Sequence, residues 1–383
     1  MPDDITQKIE ARKFLKAALF FLSPFMLALA FPVFVFWTAG EFTAPDDVIL
    51  AQRSTQSVLY GAAYTDCSVY YKLASVLARH PQVIALGSSR IMQFRSGFFE
   101  HPESFFNVGG AANKTKQFSY FLDKIPAGQE PKVVIVGLDQ FIFSHGWDDL
   151  VYNEPPEKYA RCENPSNSFF AQWKTVYRDF FQHKFSLADL APTGDTALKR
   201  IGLNALVKDN GFRNDGSYHY GKIIKERLGS KEPTFIDDFD KIKNQDKLYV
   251  VDSEVNAIAV ASVEDFLKKS KTRGVHVVGF LPPYAPSVYV RLKADKESFS
   301  YVFKLEPKLQ PLFEKYGFHL FDFSDASLMG ATDEEMIDGI HGSEKTYLRI
   351  LIEMAKTDSI LNSYVSSVDL KEQLKEARPL EVF

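Results

Sequence analysis

The first feature of the chain is a long apolar run. Ala17 to Gly40 carries no charged residue, whereas residues 1–16 are polar and include Lys8, Arg12, Lys13 and Lys16. A membrane-crossing helix needs about 20 apolar residues, so this run is long enough to span a bilayer. Pro24 and Pro32 are compatible with a membrane helix, and Trp37 stands where an interfacial aromatic belongs. Glu41, Asp46 and Asp47 follow at once. Basic residues before the run and acidic ones after it put residues 1–16 in the cytoplasm and the rest of the chain outside. A cleaved signal peptide is the alternative. The run exceeds a usual signal core and shows no clean small-x-small site, so an uncleaved single-pass anchor over 17–40 is expected.

Residues 41–80 connect this anchor to the remainder, and Val48 to Arg79 reads as mostly helical with a break near Gly61. From Pro81 the pattern alternates between strand and helix. Val83–Leu86 reads as the first strand, and Lys132–Leu138 is a continuous apolar run, as in a strand buried on both faces. Ser253 can cap a helix running to about Lys271, with Val255, Ile258, Ala259, Val263, Phe266 and Leu267 on one face. Val275–Leu281 is the next strand, closed by Pro282-Pro283. A helix over about Phe299–Lys315, a strand over Phe318–Phe323 and a final helix over Glu344–Lys356 complete the series. Repeated βα units predict an α/β domain over 81–360, a three-layer parallel sheet with helices on both faces. Residues 144–247 break the rhythm, being rich in Asn, Asp, Gly and aromatics. They are expected to form an insertion over the C-terminal edge of the sheet, where ligand-binding loops gather. The tail over 361–383 is charged, and helical or frayed.

Composition adds little to this picture, except by exclusion. The 383 residues are 45% hydrophobic and 25% charged with a net charge of −4, which gives no electrostatic case for nucleic-acid binding. The 34 Phe are a surplus, partly in the apolar run, partly core, and in part available as a sugar-stacking surface. Cys67 and Cys162 are too far apart in sequence for a metal cluster; two buried free thiols is the reading preferred, with one disulfide as the alternative outside the cytoplasm. His101, His145 and the other lone histidines show no ligand spacing, so no metal and no cofactor are expected.

The candidate chemistry lies at two points. Val83–Leu86 ends in Gly87-Ser88-Ser89-Arg90, and Ile91–Phe94 can start a helix. Such a turn presents a hydroxyl at the C-terminal sheet edge beside N–H groups suited to a developing negative charge. Asp338-Gly339-Ile340-His341 stands before the last helix, and a carboxylate three residues before a histidine can fix its tautomer and stabilise the imidazolium. Both points fall on the same sheet edge.

These two motifs together resemble the SGNH (GDSL-like) hydrolase superfamily, over about residues 81–357. The resemblance is greatest to its membrane-anchored branch, which includes alginate O-acetylation and teichoic acid D-alanyl transfer proteins. The closing pattern Asp-Gly-Ile-His-x-x-x-x-x-Tyr, ending at Tyr347, is the more specific. The resemblance implies a flavodoxin-like fold, with Ser89 as nucleophile, His341 as base and Asp338 orienting that base. Asn107–Thr115 is similar to the family's Asn-x-Gly-x-x-Gly block, which makes the Ala112 N–H an oxyanion donor. Gly137-Leu138-Asp139-Gln140 aligns with the block that normally reads Gly-x-Asn-Asp, so Asp139 replaces a donor asparagine. Either Asp139 is protonated or turned away, or Gln140 or an inserted residue replaces the donor, or the protein is a poor hydrolase. Losing one such donor costs about 100- to 1000-fold in rate.

The resemblance further implies acyl transfer, most simply of acetyl, to or from a cell-envelope or exported polysaccharide, with a multi-span membrane partner supplying the donor if the reaction is transfer. Arg90 is read as steering an anionic substrate or pairing with a surface acid. Within Arg213–Tyr220, the residues Asn214, Asp215 and His219 are candidate glycan contacts, with a solvated turn as the alternative. A catalytically silent, polymer-binding or scaffold module is the competing reading. A lipase-like esterase is weaker, because the insertion is polar.

Overall fold

A computed structural model describes residues 4–65, 67–148, 162, 165–191, 197–229 and 235–383. Parts of the expected insertion therefore lie outside the described residues. Two sheets organise the chain. The larger is wholly parallel and contains β2 (Val83–Gly87), β3 (Phe105–Gly109), β4 (Val133–Gly137), β8 (His276–Leu281) and β9 (His319–Asp322), in the order β3-β2-β4-β8-β9. Numbered among themselves, these strands run 2-1-3-4-5, a doubly wound order whose direction switches between β2 and β4.

Alternate residues of β2 and β4 feed two cores, because successive side chains point to opposite faces. Ile84, Leu86, Val134 and Val136 pack with helices α4 (Thr115–Asp123), α8 (Ala257–Thr272) and α10 (Ser300–Tyr316). Val83, Ala85, Val133 and Ile135 pack with α11 (Glu344–Thr357). The result is the expected three-layer α/β arrangement. The charged tail belongs to it as well: α12 (Ser367–Glu376) buries Leu370 in the second core, and Leu380 is buried beyond it.

The smaller sheet joins two regions that the sequence keeps apart. Its order is β5-β1-β6-β7, where β1 is Ser57–Tyr60, β5 Leu198–Ile201, β6 Asn210–Phe212 and β7 Tyr218–Tyr220. β1 pairs in parallel with β5 and antiparallel with β6. The connector's helices, α2 (Pro45–Gln52) and α3 (Ser68–Arg79), are separated near Gly61 as expected, but the break holds an unforeseen central strand of this sheet. Gly61 follows that strand because any Cβ there would sit 2.1 Å from the Asn210 carbonyl oxygen. Lys72 of α3 is fully buried and donates to the carbonyls of Asn107 in β3 and Gly216 in the insertion. Its ammonium lies 4.1 Å from the centre of the Phe212 ring, a cation–π contact. Burial pushes the Lys72 amine well below its usual range, with Asp215 pulling the other way.

The apolar run forms α1 (Asp4–Ala39), of which Gln7–Ala39 is long and apolar enough to cross a membrane, with a mean hydropathy of 2.3 over an 18-residue window. Its last turns pack Val35, Phe36 and Ala39 against Phe169 and Val176 of α5 (Pro165–Phe181). Two local expectations are corrected. The α8 cap is Asn256, whose side chain accepts from the Ile258 and Ala259 N–H groups, rather than Ser253. After β2 the chain makes a single 3-10 turn, Ser89–Ile91, where a helix over Ile91–Phe94 was expected.

Cys67 and Cys162 form a disulfide with a Cα–Cα distance of 5.0 Å, correcting the preference for free thiols. It closes a loop of 95 residues running from the connector into the insertion. Cross-linking a loop of that size removes unfolded-state entropy, so Cys162→Ser is expected to lower stability by roughly 2–5 kcal/mol in denaturant unfolding. Equal stability of the variant and the oxidised wild type would contradict a native disulfide.

Candidate active site

β2 delivers Ser88 and Ser89 to the C-terminal edge of the parallel sheet, at the point where the strand order switches. Ser88 caps the turn by accepting the Arg90 N–H at 3.1 Å. Ser89 Oγ then lies 2.9 Å from His341 Nε2. On its other side, His341 Nδ1 is 2.7 Å from Asp338 Oδ2 and 3.0 Å from Oδ1. A serine, a histidine and a carboxylate are thus linked in series. Asp338 shapes its own loop too, accepting the N–H groups of Ile340 and His341 at 2.9 and 2.7 Å. Local turns of this kind are a habit of Asp, and this one orients the residue's own imidazole partner.

Electrostatics fix the charge of that carboxylate. Burial pushes the Asp338 carboxyl up, but His341 and the two backbone N–H groups outweigh it and bring it down to about 2. Ionised Asp338 holds the Nδ1 proton, which leaves the Nε2 lone pair facing Ser89.

Two residues of the insertion complete the surround; sequence reading did not find Asp238, and it singled out Tyr220 only as part of the Arg213–Tyr220 stretch. Asp238, on α7 (Ile236–Asn244), accepts the Gly339 N–H at 2.9 Å and the Tyr249 hydroxyl at 3.1 Å. Gly339 is glycine for this reason: a Cβ there would stand 2.5 Å from Asp238 Cγ. The Tyr220 ring lies 6.2 Å from that of His341. Asp238 is not adjacent in sequence to a recognisable motif. A separate groove of about 510 Å³, lined by Phe239, Asp240, Lys243 and Arg291, lies between α7 and α9 (Pro286–Ala294).

Arg90 is neither a substrate-steering group nor a surface ion pair. Its side chain is 1% exposed. It donates to Ile340 O, Gln140 Oε1, Pro282 O and Pro283 O at 2.6–3.0 Å, and lies 3.4 Å from Asp139 Oδ1. The Tyr347 hydroxyl donates to the Arg90 carbonyl. Pro282 and Pro283 therefore serve as carbonyl acceptors for Arg90.

The expected oxyanion groups are engaged elsewhere. The Ala112 N–H donates to Gly87 O at 3.1 Å. The Gln140 amide donates to Pro282 O and Ser324 Oγ, both at 2.8 Å. Asp139 is buried beside Arg90 and Ser88. Burial pushes its carboxyl up, while Arg90, the Ser88 hydroxyl and His341 pull it down without cancelling the rise. The Ser89 N–H has no acceptor among the described residues and is the donor that remains at the nucleophile.

The candidate glycan contacts turn inward. Asn214 clamps the start of β1, donating to Gln56 O and accepting the Val58 N–H. Asp215 accepts from Arg95, Ser96 and Ser217. His219 lies between Arg213, 2.8 Å from Nδ1, and Asp209, 3.4 Å from Nε2. All three read as framework. The expectation of no metal meets one cluster among the described residues, His276, His319 and Asp358, on the opposite sheet edge. No family model matches this chain, and no curated protein matches it.

The depressed Asp338 carboxyl has a signed consequence for stability. A folded-state value of about 2 lies below the ordinary 3.8, so the stabilisation is complete above the latter and lost as pH falls through about 2. Asp338→Asn is expected to flatten that part of the acid-unfolding curve. Identical acid limbs for variant and wild type would refute the His341–Asp338 interaction.

Proposed function

We propose that the chain is a membrane-anchored serine acyltransferase or esterase of SGNH type, acting outside the cytoplasm on acyl groups, most simply acetyl, of a cell-envelope or exported polysaccharide. The observation that carries the chemistry is the series Ser89 Oγ–His341 Nε2 at 2.9 Å and His341 Nδ1–Asp338 Oδ2 at 2.7 Å, set at the switch point of a parallel sheet. His341 takes the Ser89 proton as Oγ attacks the ester carbonyl, and the Ser89 N–H donates to the oxyanion. His341 returns the proton to the leaving alkoxide. Water or a sugar hydroxyl, deprotonated by His341, then attacks the acyl-serine; the acyl C–Oγ bond breaks and His341 returns that proton to Ser89 Oγ. Ionised Asp338 holds the imidazolium throughout.

The location rests on other observations. Basic residues precede the apolar helix and acidic ones follow it, which by the positive-inside rule favours a cytoplasmic N-terminus. The Cys67–Cys162 disulfide fits an oxidising compartment. Acetyl and polysaccharide come from the family resemblance, as does a multi-span partner that would pass the acyl donor across the membrane.

A silent, polymer-binding module is the second reading. Its support is the engagement of Ala112, Asp139 and Gln140 away from the nucleophile. With so few donors, an oxyanion is held weakly, and slow hydrolysis is compatible with a transferase. The detergent-solubilised chain, given an acetyl ester with and without an oligosaccharide, separates the readings. Turnover and fluorophosphonate labelling are expected in wild type, and Ser89→Ala should lose labelling and at least about 1000-fold of turnover. A wild-type protein that neither labels nor turns over would favour the scaffold. Acceptor-dependent product assigns transfer.

Asp139 yields a separate expectation. Its carboxylate faces Arg90 and Ser88, so Asp139→Asn should leave ester turnover within about tenfold of wild type. A gain approaching the 100- to 1000-fold value of an oxyanion donor would place this side chain at the oxyanion instead.

A further inference from the structure

The parallel sheet puts Ser89 beyond the C-terminal end of β2. The N-terminal starts of the strands lie at the opposite edge, and three side chains from three elements converge there. His276 opens β8, His319 opens β9, and Asp358 caps the end of α11. His276 Nε2 stands 2.8 Å from Asp358 Oδ2, and His319 Nδ1 stands 2.7 Å from the same oxygen. All the ligand-capable atoms lie within 4.8 Å of one another.

The carboxylate is set in place by its own surroundings. Asp358 is 1% exposed, and its Oδ1 accepts the Leu361 N–H at 2.8 Å. Its Oδ2 is left aimed at the two imidazoles. The His276 ring is steadied edge-on by Phe318, at 5.6 Å between centroids. His319 is nearly half exposed, so one side of the cluster opens to solvent.

We propose that His276, His319 and Asp358 bind a divalent transition metal, with Zn²⁺ the best chemical match. Two imidazole nitrogens and one carboxylate oxygen are the donor set that Zn²⁺ takes, whereas Mg²⁺ and Ca²⁺ favour oxygen throughout. Zinc sites with three protein ligands complete a tetrahedron with water. The open side at His319 leaves room for it. The Leu361 N–H on Oδ1 is then the outer contact that orients the ligand carboxylate. With no metal, a single oxygen has to accept an N–H from both rings. With one, both rings present lone pairs and the oxygen becomes the third donor.

The location gives the metal a structural role. Among the described residues β9 is an edge strand, paired only with β8. A metal held by both strands and by Asp358 would lock that edge to α11, the helix that begins just after His341. It would stabilise the fold by mass action and touch no reacting atom.

The test uses the full chain in detergent, made without a histidine tag, stripped with a chelator and dialysed. One Zn²⁺ per chain is expected on addition of ZnCl2, with a rise of several degrees in the unfolding temperature and no such rise with MgCl2. Because Asp358 also caps the next turn, Asp358→Asn risks misfolding; His319→Gln, at a half-exposed ring, is the cleaner variant. It should fold, retain the untreated unfolding temperature within a few degrees, and lose both the stoichiometric zinc and the thermal shift. Replacement by Co²⁺ should give the visible absorption of a tetrahedral site in wild type alone. Absence of bound zinc in wild type, or zinc binding and thermal shift unchanged in His319→Gln, would overturn the site and leave a hydrogen-bonded His–Asp–His clamp.

Discussion

The active edge of this protein is assembled around one buried guanidinium. Strand ends in a parallel sheet leave carbonyls without ladder partners, and buried carbonyls need donors. Arg90 supplies them from a single rigid fork. It reaches Gln140 just past β4, Pro282 and Pro283 just past β8, and Ile340 in the loop that carries His341. Ser89 precedes Arg90, and His341 follows Ile340. The spacing between nucleophile and base is thus set by a hydrogen bond between their immediate neighbours. Tyr347 closes the arrangement from α11 by donating to the Arg90 carbonyl, which gives a physical reason for a tyrosine six residues after the histidine.

That solution constrains the chemistry beside it. A buried cation requires a nearby anion, and Asp139 fills this role at 3.4 Å. An asparagine at 139 would provide a donor but no charge. Here the position is given to the framework, and Gln140 is likewise consumed by Arg90, Pro282 and Ser324. The machinery for moving a proton is complete, while the machinery for holding an oxyanion is reduced. If Ser89 carries an acyl group as proposed, such an imbalance suits a reaction in which the acyl-serine waits for a bound acceptor rather than losing its acyl group quickly to water.

The sequence made legible whatever had a long or local signature. β2, β4 and β8 are nearly continuous apolar runs, and α8, α10 and α11 carry one-sided patterns, so their places were predictable to within a few residues. Asp338 and His341 were legible because they stand three positions apart. β1, β5, β6 and β7 are three or four residues long, and β1 finds β5 and β6 across long separations, so no periodicity betrays them. Arg90, Asn214, Asp215 and His219 were misplaced for a different reason. Polar residues in a Gly-rich turn read as exposed, and only the fold reveals that each satisfies buried backbone or charge. His276, His319 and Asp358 were hidden by sequence separations of 82 and 39 residues within the pairs that touch.

The connector couples the apolar helix to the sheet edge that carries Ser89. Glu41, just past α1, is buried, and its carboxylate accepts the N–H groups of Ala63 and Leu203 at 2.9 and 2.7 Å. Ala39 O accepts the Gly202 N–H beside it. From there β1 runs into the smaller sheet, whose β7 carries Tyr220 to the face of His341, and Lys72 binds α3 to both β3 and the insertion. Each joint is a buried polar contact that would cost more broken than an exposed one. The helix therefore does more than tether. If it crosses a membrane, the same chain of contacts holds Ser89 at a fixed height and attitude above the bilayer, as a substrate delivered from that surface would require.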